Sequence, residues 1–111
     1  MSNSFEIISI VFDYYSIPVE NRADKCRKRE LVNARQVAMS FLKKYTKESY
    51  HRIGAYFCRD HATAIHSLKE VQNMIDTDRA HAREIDKIEN RILAGITIDD
   101  FKYVQYDTDK T

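Results

Sequence analysis

Pro18, Gly54 and Gly95 are the only proline and glycines in 111 residues, so this chain has few places to break its backbone. The long runs between them, with apolar residues recurring three and four apart, predict a mainly helical domain. Gly54 falls in the most informative run, IGAYFCRDHATAIHSLK, from Ile53 to Lys69. Tyr50, Ile53 and Phe57 share one helical face there. A glycine inside a helix costs about 1 kcal/mol against alanine, so Gly54 predicts a spot where a partner helix crosses too closely for a Cβ. After Cys58 and Arg59 the helical pattern restarts at Asp60, a good N-cap, and continues through Ala64 or Ile65, Leu68, Val71, Met74 and Ile75. Two helices joined so tightly, with polar groups opening the second, predict a helix-turn-helix over about residues 49–76.

The rest of the chain reads as support. Phe5, Ile8, Val11 or Phe12, and Tyr15 give a first helix over 4–15, capped by Ser4, with a strand as the weaker alternative. Ile17-Pro18 stops it, and Pro18 opens a short helix from Val19 to about Lys25. A longer helix over 31–46 carries Ala34, Val37, Ala38, Phe41, Leu42 and Tyr45 on one stripe, with Asn33 as a possible cap. Residues 46–49 are a polar connector in which Ser49 caps the first helix of the helix-turn-helix. Ala80, Ile85, Ile88 and Ile92 mark a last helix closed by Gly95. The domain is expected over 1–93. The tail, 94–111, leaves an edge strand, a short helix or a disordered end open. The fold expected is all-α, a bundle of five to six helices.

A chain of this size makes one domain, with no room for a nucleotide-hydrolysing module beside it. No glycine sits in a phosphate-cradling loop. No apolar run reaches the roughly 18 residues that span a bilayer, and Glu6 interrupts the apolar opening, which points to a cytoplasmic protein with reduced thiols at Cys26 and Cys58. The net charge of +1 conceals a segregation. From Asp24 to Lys69 there are 11 Lys or Arg against four acids, a net +7 that the flanks balance with −6. One basic region on a nearly neutral molecule is the footprint of a polyanion-binding face, although charge runs also occur on plain solvated helices.

Catalysis finds no support: no nucleophile has a base at a workable spacing, and no carboxylate pair stands out. His61 and His66, with Cys58, suggest a metal only superficially, because five residues separate the histidines by about 140° around a helix. No metal, cofactor or small-molecule substrate is expected. Asp60, His61 and Thr63 have two compatible readings, as an exposed capped first turn and as groups that bond base edges or phosphate. His66 suits a phosphate contact if it faces outward. Arg27, in the preceding loop, suits a minor groove narrowed by A/T-rich sequence.

RELVNARQVAM followed by IGAYFCRDHATAIHSLKEV resembles the C-terminal DNA-binding domain of the bacterial replication initiator DnaA, over about Ile7 to Asp76. The resemblance implies a Trp-repressor-like helix-turn-helix that reads a short A/T-rich box in duplex DNA at replication origins. It implies base readout by Arg27, Asp60, His61 and Ala62. It further implies backbone contacts from Arg35, Gln36, Lys43, Thr63 and His66, to which the charge pattern adds Lys28, Arg59 and Lys69.

Three departures leave the preferred box and the affinity open. Ala62 replaces threonine or serine, Cys58 replaces a glycine pair with one residue fewer, and Asn33-Ala34 replaces Arg-Pro. A cysteine there is expected to tolerate positive φ poorly. Nothing in the chain supplies the initiator's ATPase; the MSNS start and the acidic C-terminal segment favour a free-standing domain. The rival expectation is a protein-interaction bundle that has lost DNA binding and dimerises through its C-terminal helix.

Overall fold

The computed structural model describes residues 3–25 and 28–95. Among the described residues five α-helices run in order, α1 (Ser4–Tyr14), α2 (Arg29–Tyr45), α3 (Tyr50–Ala55), α4 (His61–Thr77) and α5 (Arg79–Gly95), with a 3-10 turn at Val19–Ala23 between the first two. No strand occurs among the described residues. The protein is all-α, and none of the described helices is long and apolar enough to cross a membrane.

The core is where the sequence pattern places it. Ile7, Ile8, Val11 and Phe12 of α1 meet Ala34, Val37, Ala38, Phe41 and Leu42 of α2 in one buried cluster. The Phe12 ring stacks on Phe57, beyond α3, with centroids 6.2 Å apart. α2 packs against α1, α3 and α4, and α4 also packs against α3 and α5. That arrangement leaves the N-terminal tip of α4 at the surface while its middle, at Ala64, Ser67 and Val71, is buried.

Several boundaries have causes the sequence did not show. α1 closes through Ser16 in the left-handed region, at φ 59°. There the Ser16 amide donates to the carbonyl of Asp13 and the Ile17 amide to that of Phe12, a pairing that satisfies the last carbonyls of a helix. Pro18 follows a stop already made. Ser4 does not cap α1; the cap position is Asn3, and the buried Ser4 hydroxyl instead donates to Glu48 across the fold at 2.7 Å. α2 starts at Arg29, four residues before Asn33, which lies inside the helix.

Glu48, which reads as part of a plain polar connector, gathers three elements. Besides Ser4 it accepts from Tyr56 Oη at 2.6 Å and from Arg52 Nε at 2.7 Å. These hydrogen bonds, Tyr56's first, hold its carboxyl below the usual carboxylate range.

α5 turns its apolar stripe inward. Its stripe of Ile85, Ile88 and Ile92 is buried within the chain, packed on α1 and α4. Phenol-carboxylate bonds pin it further, Tyr15 to Glu84 at 2.7 Å and Tyr45 to Glu89. Burial first, and then the bond to Glu84, push the Tyr15 hydroxyl far above its ordinary pKa. The helix runs through Gly95, past the expected boundary at 93; the tail beyond lies outside the described residues.

Candidate nucleic-acid interface

The turn between α3 and α4 is built on backbone contact. A Cβ on Gly54 would come within 2.7 Å of the carbonyl oxygens of both Arg59 and Asp60. The close approach expected at this glycine is therefore real, but the crossing group is the turn's own backbone. The Gly54 carbonyl accepts from the amides of Phe57 and Arg59, each at 2.9 Å. Closing so short a loop forces Cys58 to φ 55°, a left-handed conformation that costs a side-chain-bearing residue on the order of 1–2 kcal/mol.

Asp60 then starts α4. Its Oδ1 accepts from the Thr63 amide at 2.9 Å and the Thr63 hydroxyl at 2.8 Å. Those two bonds, the amide's first, hold the carboxyl below its ordinary range, with a smaller contribution from His61. Oδ2 has no hydrogen-bond partner among the described residues, and Asp60, His61 and Ala62 are all exposed. The first turn is thus fixed internally by one carboxylate oxygen and open outward through the other. The amides of His61 and Ala62, in the first helical turn, have no intrahelical acceptor.

Ala62, His66 and Lys69, spaced four and three apart, make one exposed stripe along α4. His66 Nε2 lies 3.9 Å from Glu70 on the next turn. Thr63 is half-buried and its hydroxyl proton is directed to Asp60, so it meets a phosphate only by turning from that bond. On α2, Gln36 and Lys43 lie two turns apart on one side, and Lys43 Nζ sits 4.4 Å above the Tyr50 ring. Lys28, at the cap of α2, is exposed. Arg27 falls outside the described residues.

Two arginines differ from their expected role as open cations. Arg35 is only 9% exposed, and its Nη1 donates to the Asp24 carbonyl at 2.9 Å. Arg59 Nη2 approaches the same carbonyl at 3.3 Å, while its Nη1 donates to the Phe57 carbonyl at 2.8 Å. Arg35 therefore ties the segment before α2 to α2 itself, and Arg59 ties the same carbonyl to the turn of the helix-turn-helix. The basic run is also divided, because Lys44 pairs with Glu89 on α5 and Arg52 with Glu48.

One residue at the tip carries no signal in its sequence spacing. His51, on α3, lays its ring against that of His61, with centroids 4.5 Å apart and planes tilted by 33°. Among the described residues no group of three or more His, Cys, Asp or Glu is arranged to hold a metal ion.

A tight turn on a Cβ-free crossing, followed by an outward capped tip, is helix-turn-helix geometry. The family described as bacterial DnaA protein helix-turn-helix matches residues 5–71. The chain belongs to that family. Its DnaA relatives include the chromosomal replication initiator protein DnaA of Flavobacterium psychrophilum, 41% identical over 87 residues, which are 78% of this chain and 18% of that protein. The DnaA of Wolbachia pipientis wMel is 43% identical over 84 residues, 75% of this chain and 18% of the relative. That of Caldanaerobacter subterraneus is 34% identical over 82 residues, 74% and 18%. The chain thus spans under a fifth of the length of these curated relatives.

Proposed function

We propose that the chain binds double-stranded DNA sequence-specifically at a short A/T-rich box, in the cytoplasm, in replication initiation or its regulation. The observation that carries this reading is the tip of α4, where Asp60, His61 and Ala62 are exposed on a helix start that the Asp60 cap holds rigid. That tip enters the major groove, while Arg27 enters the adjoining minor groove. Lys28, Gln36, Lys43, Thr63, His66 and Lys69 meet the phosphates. Arg35, from α2, and Arg59, from the turn, act there mainly by holding the Asp24 carbonyl between them. ATP hydrolysis and strand opening are not among the activities proposed for this segment.

Base contacts supply the selectivity and phosphate contacts most of the affinity. A salt titration on random duplex tests the reading. Binding at low salt that falls steeply as salt rises supports it, with a shallower slope for Lys43→Ala. Absence of binding at low salt refutes it.

A further inference from the structure

His51 and His61 stand on different helices, ten residues apart in sequence, yet their rings touch at the outer surface of the turn. Both residues are exposed, so burial does not force the contact. Neither side chain has a hydrogen-bond partner among the described residues, so no polar contact there orients either imidazole. A lone exposed histidine at a helix start samples several rotamers. One leaning on a second ring samples fewer, and an ordered ring loses less entropy when it meets a base edge.

We propose that His51 is a positioning residue for sequence readout: its ring holds the His61 ring in the direction from which it enters the groove. This rests on the reading above, in which His61 contacts bases. His51 acts through His61, so its effect exists only while His61 is present. Any flat ring at position 51 should serve, because the two rings meet without a hydrogen bond between them.

The test uses the full chain and a preferred duplex selected from a random library, with affinities measured for that duplex and for each single-base variant of it. His51→Ala is expected to relax discrimination at the same base positions as His61→Ala. The expected loss is about two- to tenfold, the range of an aromatic pair's contribution. His51→Phe should restore discrimination, and adding His51→Ala to His61→Ala should change nothing further. A preference altered at other base positions, or additive effects in the double variant, would make His51 an independent contact and overturn the proposal. Intact discrimination in His51→Ala, with His61→Ala impaired, overturns it while leaving the DNA reading standing. If His61→Ala itself leaves the ranking of duplexes unchanged, the base-reading assignment falls and the positioning role with it.

Discussion

Glu48 and Asp60 are carboxylates twelve residues apart, both held below their ordinary pKa by hydrogen bonds, and they serve opposite ends of the same motif. Glu48 keeps only 10% of its side chain exposed and has both oxygens engaged, one by Ser4 and Tyr56 and the other by the exposed Arg52. Asp60 spends one oxygen on its own helix start and leaves the other to solvent. The first arrangement fixes where α3 sits on α1. The second fixes the start of α4 while presenting its surface to a ligand. A lowered carboxylate pKa therefore does not by itself mark a functional group in this molecule; what separates the two is whether an acceptor remains outside.

The contrast between these two regions breaks most severely at the turn that joins them. Gly54→Ala places a Cβ against two backbone oxygens that have no side-chain freedom with which to yield. We expect a loss on the order of 3 kcal/mol in chemical unfolding, with DNA binding lost alongside it. Next in size, Glu48→Gln should cost about 1–3 kcal/mol of stability by stripping charge from two half-buried hydrogen bonds and one exposed one. Base preference should survive in the protein that remains folded.

Glu48 also predicts a pH dependence. Its folded pKa is lower than its unfolded one, so its stabilisation is complete above the ordinary carboxylate value of about 4.3. It is lost as pH falls through the depressed folded value. The unfolding free energy of Glu48→Gln should accordingly fall less than that of the native chain below about pH 4.

Asp60 sharpens the contrast because its cap and its proposed base contact can be separated. Asp60→Asn keeps a side-chain oxygen for the Thr63 amide and should hold the melting temperature near that of the native chain while altering the preferred box. Asp60→Ala should lower the melting temperature as well. Equal base preference in all three proteins would remove Asp60 from the readout. The smallest effect belongs to the strained turn. Cys58→Gly relieves a positive φ at the cost of a looser unfolded chain, for a net gain of up to about 1 kcal/mol in thermal unfolding.

Much of the scaffold was legible because helices write their burial at a fixed period. The stripe from Ala34 to Leu42, the caps at Ser49 and Asp60, and the isoleucines of α5 all stand where spacing puts them. What escaped the sequence depends on contacts between distant segments. Arg35 reads as a surface cation until the Asp24 carbonyl, eleven residues earlier, folds over it. Glu48 reads as connector until Ser4 arrives from the far end of the chain. The contact of His51 with His61 emerged only from the way α3 and α4 meet, since local spacing does not report which rings meet across a turn. The apolar face of α5 was visible, but its partner was not: the same stripe suits a second copy of the chain or, as found, α1 and α4 of its own.

Whether the outward-facing tip of α4 reads bases is measured most directly by selection from a random duplex library. The native chain should enrich one short box, and the combined variant Asp60→Asn, His61→Ala should lose that preference at a few of its positions while remaining folded. Enrichment of no sequence by the native chain, or of the same box to the same degree by the variant, would contradict base reading by the tip.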